Sequence, residues 1–206
     1  MLSNLYMRRF VLGWKRLGHE KRLRAYIVNY ADDMVICCRS GAEEALAVMR
    51  HMMSKLKLAV NESKTRVCCL PEEKFDFLGY TLGRCYSAKT GKAYLGEVPS
   101  KKRVLRLCQA VSEVTGRHGT PQDVETIVGT LNRKLTGWSN YFCLGSVSKA
   151  YRAVDRHTVR RLRQWLCAKH KVQRRGTQQF SEDVLYSKFG LVRLKFRTAS
   201  FPWATA

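Results

Sequence analysis

The hydrophobic period of this chain changes at Pro99, and the change constrains its fold more than any other feature. Upstream, short β-branched and aromatic runs are separated by polar turns and interleaved with helical stretches. Downstream, apolar residues recur at three- and four-residue intervals, the period of an α-helix packed on one face. Strands and helices segregated in this way predict an α+β chain. Ser100 can cap a helix carrying Val104, Leu105, Leu107, Cys108, Val111 and Val114 and ending near Gly116. Thr120-Pro121 reads as a second start, with Thr at the N-cap and Pro at the first helical position. That helix carries Val124, Ile127, Val128, Leu131, Leu135, Trp138 and Phe142 and closes at Gly145. A third runs from about Val147 to His170, with Tyr151, Val154, Leu162, Trp165 and Leu166 on one face. Short connections make the three antiparallel neighbours.

In the first half, Tyr26-Ile27-Val28 and Met34-Val35-Ile36-Cys37-Cys38 read as strands flanking Tyr30-Ala31-Asp32-Asp33. The polar centre falls where a tight hairpin turns. Two acids at such a tip suit a divalent cation such as Mg²⁺, which prefers carboxylate oxygens. Asp-Asp is also an ordinary turn dipeptide, because Asp tolerates turn geometry and bonds to nearby backbone. Before the hairpin, apolar positions 2, 5/6, 10 and 14 predict a helix. After it, Ser40-Gly41-Ala42-Glu43 fits a capping box, with Ser40 at the N-cap. The amphipathic helix behind carries Ala45, Leu46, Val48, Met49, Met52, Met53 and Leu56, a Met-rich stripe best read as core. Val67-Cys68-Cys69-Leu70 and Phe75 through Tyr80 predict two more strands. Ala88-Lys89-Thr90-Gly91-Lys92 has hairpin-loop chemistry and leads into Tyr94-Leu95.

Charge narrows the function classes. The 206 residues carry 38 Lys and Arg against 16 Asp and Glu, a formal net charge of +22. Such an excess opposes compaction, so it points to a polyanionic partner, nucleic acid first and an acidic membrane second. No apolar run approaches the roughly 20 residues of a membrane span, and the N-terminus has no signal-peptide core. Lys149, Arg152, Arg156, Arg160 and Arg163 form a basic stripe along the third helix, with Lys101, Lys102, Arg103 and Arg106 on the first. Either group is a solvated face or a phosphate-contacting surface. The eight cysteines include no C-x-x-C pair and no zinc-spaced His/Cys cluster; core thiols in a reducing cytoplasm fit them best. The five histidines are scattered, which does not support an HNH-type nuclease.

Several blocks, in order along almost the whole chain, resemble the reverse transcriptase/maturases encoded by group II introns. They are Leu2-Ser3-Asn4-Leu5-Tyr6, Tyr30-Ala31-Asp32-Asp33, Asn61-Glu62-Ser63-Lys64-Thr65 and Phe77-Leu78-Gly79-Tyr80. Leu131-Asn132 with Gly137-Trp138-Ser139-Asn140-Tyr141-Phe142, and Tyr186 through Leu194, complete the series. The resemblance implies a partial polymerase palm over 1–98 and maturase-specific thumb helices over 99–172. Residues 173–206 would form a basic C-terminal tail. It implies that Asp32 and Asp33 bind Mg²⁺ and are catalytic, and that Tyr30 and Ala31 lie beside the primer end. Lys64 would support the site or contact phosphate, and Phe77, Leu78, Gly79 and Tyr80 would form the primer grip. The basic residues of the helices would contact intron RNA, or an RNA–DNA hybrid. Trp138, Tyr141 and Phe142 are read first as core and second as base-stacking platforms.

The family's third metal-binding Asp and its fingers lie on segments before the first block seen here. The expectation is therefore a chain that does not polymerise alone, since a two-metal mechanism needs carboxylates bridging both ions. The alternatives are a splicing-assisting, non-catalytic RNA-binding module, or a decayed remnant.

Overall fold

A computed structural model of the chain describes residues 2–87, 90–172 and 176–200. It forms two compact units, Met1–Leu78 and Gly79–Ala206. The architecture is α+β, with small antiparallel sheets and several helices.

In the first unit, α1 (Leu2–Arg16) and the short α2 (His19–Arg22) precede the hairpin β1 (Ala25–Tyr30) and β2 (Asp33–Cys38). α3 (Ala42–Lys55) and the short strand β3 (Phe75–Phe77) follow. Among the described side chains of α1, which leave out Leu2, those buried are Met7, Phe10 and Trp14, so the stripe passes through Met7; Leu5 and Tyr6, the sequence choice, are exposed. Trp14 donates its indole N–H to the Ala25 carbonyl at 3.0 Å, tying the helix to the first residue of β1. Ala45, Met49, Met52 and Met53 of α3 complete this core, as the Met stripe predicts. The start of α3 differs from its prediction. Gly41, not Ser40, is the N-cap, at φ 68° and without a side-chain cap. Glycine enters that left-handed region without steric cost, so the chain turns into the helix one residue later. Glu43 and Glu44 still place negative charge on the first turn.

The strand predicted over Val67-Cys68-Cys69-Leu70 does not form. The Cys69 N–H is taken by the Glu73 carboxylate at 2.8 Å, and the Glu73 N–H by the Cys69 carbonyl. A turn has captured groups that a strand would need for its ladder. Likewise, the run from Phe75 to Tyr80 is interrupted: Leu78 and Gly79 have φ of 51° and 86°, and the next strand begins at Tyr80.

The second unit opens with β4 (Tyr80–Tyr86) and β5 (Ala93–Pro99), antiparallel with Tyr80 opposite Pro99 and Tyr86 opposite Ala93. Ser87 and Gly91 bond across the connecting loop, of which Ala88 and Lys89 lie outside the described residues. Helices α4 (Lys101–Val114), α5 (Val124–Tyr141) and α6 (Ser148–Lys169) follow. Ser100 caps α4, its hydroxyl accepting the Arg103 N–H at 3.4 Å. Leu105, counted in the apolar stripe, is exposed, and Leu107 and Val111 are the buried pair. α5 starts three residues after Pro121, because the Thr120 hydroxyl donates back to the Arg117 carbonyl at 2.7 Å and closes a 3₁₀ turn instead of capping a helix.

All five residues expected on the inner face of α6 are buried. Among the described residues beyond α6, Phe180, Leu185, Leu191 and Leu194 belong to the same core. It contains the short α7 (Gly176–Gln179), a π-helical turn (Val184–Lys188) and a 3₁₀ helix (Leu194–Ser200). The cysteine reading needs correction. All eight are unbridged, but none is deeply buried, and Cys37 and Cys69 are exposed. Cys37 stands opposite Tyr26 on the outward side of the hairpin. Arg174 and Arg175 of the basic tail fall outside the described residues.

Candidate nucleic-acid interface and acidic hairpin

Strand alternation sorts the hairpin into two faces. Ala25, Ile27, Ile36 and Cys38 turn toward the core of the first unit. On the other face the register sets Tyr26 opposite Cys37, Val28 opposite Val35 and Tyr30 opposite Asp33. Tyr26, Val28 and Tyr30 are exposed there. Ala31 and Asp32 form the two-residue turn, with Ala31 at φ 54°. Asn29 fixes this tip, its amide donating to the Ala31 carbonyl at 3.0 Å and the Asp33 carbonyl at 3.3 Å. Asn29 escaped the sequence reading. Its only signal was an amide at the end of an apolar strand, one residue before the motif.

Asp32 and Asp33 are therefore held close together and exposed. Their oxygens have the chemistry Mg²⁺ favours. A two-metal centre needs more ligands than one adjacent pair, however. Among the described residues no group of three or more His, Cys, Asp or Glu side chains is placed to hold a metal. The pair alone does not fit a complete metal site. Lys64 lies exposed in a turn closed by the Asn61 carbonyl, which accepts the Lys64 and Thr65 N–H groups at 3.0 Å each. The turn is anchored through Glu62, whose carboxylate takes two bonds from Arg50 at 3.1 and 2.6 Å.

In the second unit, the aromatic residues of the Gly137–Phe142 block form a cluster of mutually tilted rings. Trp138 lies 4.8 Å from Phe142 and 5.8 Å from Tyr151, centroid to centroid, and Phe142 lies 5.1 Å from Tyr80. Trp138 packs against the core and Phe142 is buried, so both follow the core reading; Tyr141 is exposed. The Tyr80 hydroxyl donates to the Tyr141 carbonyl at 2.8 Å and accepts the Leu144 N–H at 3.4 Å. Gly79 lies so close to Arg103 and Phe142 that a Cβ there would meet both within 3.2 Å. The Tyr151 hydroxyl, whose pKa burial pushes up to about 12, donates to the Ser139 and Phe142 carbonyls at the end of α5.

The cations of α6 divide by whether they reach beyond their own helix; Arg152 donates to the Ser148 carbonyl within α6 at 3.3 Å. Arg161 donates to the Ser112 and Thr115 carbonyls at 3.0 and 3.2 Å, capping the end of α4. Lys169 donates to the Thr120 and Gln122 carbonyls. Arg163, part of the predicted stripe, is partly buried and donates to the Phe180 carbonyl at 2.8 Å. Lys149, Arg152, Arg156 and Arg160 are exposed. At about 100° per residue they fall within one arc beside the buried face. The described ion pairs, Arg22–Glu44, Arg50–Glu62 and Arg193–Glu182, involve none of the four. Lys101, Lys102, Arg103 and Arg106 are also exposed, on the first turns of α4.

Two polar residues that the sequence reading left without a structural role hold the C-terminal segment. Asn132 accepts the Val192 N–H at 2.8 Å and donates to the Gly190 carbonyl at 2.9 Å. Asp155 accepts the Leu194 and Lys195 N–H groups at 3.0 and 3.1 Å. Burial raises the Asp155 pKa, and those two bonds act against the rise.

Residues 1–82 match the family model described as Reverse transcriptase (RNA-dependent DNA polymerase). Residues 104–180 match Group II intron, maturase-specific domain. A hairpin with Tyr-Ala-Asp-Asp at its tip, followed by a maturase-specific helical unit, defines the class, and the chain belongs to the group II intron reverse transcriptase/maturases. A search of curated proteins finds no match to the chain. Among the described residues no helix is long and apolar enough to cross a membrane.

Proposed function

We propose that this chain binds structured group II intron RNA through the exposed cations of α6 and α4 and supports splicing by holding that RNA. The observation that carries the reading is the sorting of the α6 cations. Arg161, Arg163 and Lys169 are committed to carbonyls outside α6, whereas Lys149, Arg152, Arg156 and Arg160 stand exposed along one arc, with Arg152 donating to the Ser148 carbonyl of its own helix. Aligned cations of this kind neutralise phosphates and release counterions, which supplies affinity without sequence preference. Lys101, Lys102, Arg103 and Arg106 extend the same chemistry onto α4. In this reading residues 1–98 serve as palm, 99–172 as thumb and 173–206 as a basic C-terminal segment, working in the cytoplasm.

The hairpin adds a second proposed role. Asp32 and Asp33 would contribute to a Mg²⁺ site, with Tyr30 and Ala31 beside a primer end, Lys64 near phosphate and Phe77 to Tyr80 as the primer grip, on RNA or an RNA–DNA hybrid. That role requires further ligands, whereas the RNA-holding function does not. It is tested by filter binding of intron RNA to the wild-type chain and to a Lys149→Gln, Arg156→Gln, Arg160→Gln variant. The reading expects at least tenfold weaker binding by the variant at moderate salt, with melting unchanged. Equal affinities would overturn it.

A further inference from the structure

We propose that the start of α6 and the C-terminal 3₁₀ helix form a site for one unpaired nucleotide of RNA, its phosphate held by Arg152 and Lys195 and its base stacked on Phe196. The inference rests on the RNA-binding reading of this unit and narrows it to one contact. A cavity of about 280 Å³ is lined by Ser148, Tyr151, Arg152 and Lys195. This is close to the lower end, roughly 300 Å³, of small-molecule sites, so it suits one compact group rather than a helix. The lining offers a guanidinium, an ammonium and a hydroxyl and contains no carboxylate, so it selects an anion. Tyr151 supplies wall, since its hydroxyl is committed to the end of α5.

Phe196 adds what a simple anion site lacks. Phe196 is 61% exposed, and the Lys195 ammonium lies 5.8 Å from its ring centroid, which sets the aromatic residue beside the cationic cavity. The ring is held in place: Arg193 sits between Phe196 and Tyr186, at 5.1 and 4.8 Å from their centroids. Asp155 binds the backbone N–H groups of Leu194 and Lys195, so the segment presenting Lys195 and Phe196 is fixed to α6. A phosphate pocket with a fixed ring next to it matches the two ends of a nucleotide. Every base has a face that can stack, so the site tolerates any base, but the base must be unpaired.

The test measures binding of the full chain to a fluorescent oligo(A) RNA and to a blunt RNA duplex. Phe196→Ala should weaken oligo(A) binding about tenfold, the scale of one base–aromatic stack, and leave duplex binding within about twofold. Phe196→Trp should restore oligo(A) binding, and Lys195→Gln should weaken it. Equal effects of Phe196→Ala on both RNAs, or no effect on either, would overturn the site. Free adenosine monophosphate that displaces oligo(A) as well as unlabelled oligo(A) does would also overturn it, in favour of a mononucleotide site. Salt-sensitive duplex binding with oligo(A) binding indifferent to Phe196→Ala would sink this site and leave the RNA-binding reading standing. Binding of neither RNA would sink both.

Discussion

At the residue scale, identical side chains on α6 do different work, and only their contacts tell them apart. Arg160 and Arg163 are three residues apart on one basic stripe. Arg163 is tied to the Phe180 carbonyl, and Arg160 is exposed. Arg163→Gln is therefore expected to lower thermal stability by about 0.5–1.5 kcal/mol, the net value of a lost hydrogen bond. Arg160→Gln should leave melting unchanged and weaken RNA binding; paired melting and binding curves check both. Asn132 is a stronger case, because it satisfies a donor and an acceptor of the C-terminal segment at once. Asn132→Ala leaves both backbone groups without that partner and should cost about 1–3 kcal/mol in chemical denaturation. The sequence announced the basic stripe by its spacing, but not this division of labour. The Phe180 carbonyl, Gly190 and Val192 reach their partners through tertiary packing, which leaves no trace in local pattern. Asn132 and Asn140 stood inside a recognised block, but the block did not say that Asn132 grips the chain's own backbone.

At the element scale, periodicity predicted existence and type better than ends. α6 and the Met-rich face of α3 follow their hydrophobic spacing, because a buried stripe is a property of many residues together. The start of α3 moved to Gly41, and that of α5 moved past Thr120-Pro121, because single residues decide ends and each has a competing use. The Val67–Leu70 strand failed for a related reason: β-propensity needs a partner strand, and Glu73 supplied a local one. The α5–α6 connection carries a sharp prediction. Gly145 has φ +69°, and a Cβ there would collide with the Glu97 carbonyl. Gly145→Ala should destabilise the helical unit by more than 1 kcal/mol, read as a lower denaturation midpoint. Where α4 packs on α6, His157 Nε2 lies 3.0 Å from the Ser112 hydroxyl. Burial, first, and then Arg160 and Arg161 lower its pKa, against the Cys108 carbonyl. The folded protein thus favours the neutral ring, and this contribution to stability is present above the ordinary histidine value near 6.5. It is lost as pH falls through that value toward the lowered one. Melting temperature should drop between pH 7 and about 5.5, and His157→Gln should flatten that drop.

At the scale of the whole molecule, two units carry two chemistries. The first presents an acidic hairpin tip whose two carboxylates do not by themselves make a metal centre. The second presents exposed cations on helices locked by hydrogen bonds to their own C-terminal segment. The charge of +22 made a polyanionic partner the economical reading before any fold was known, and the ordered motif blocks placed the chain in its family. Which cations remain available was not legible, because exposure is set by tertiary contacts. The most direct test of the central claim is the salt dependence of intron RNA binding by the wild-type chain and by the Lys149→Gln, Arg156→Gln, Arg160→Gln variant. The account predicts that log affinity falls linearly with log salt, and that the variant has a shallower slope by about 3, about one per lost phosphate contact. An identical slope in the two proteins, or binding independent of salt, would contradict it.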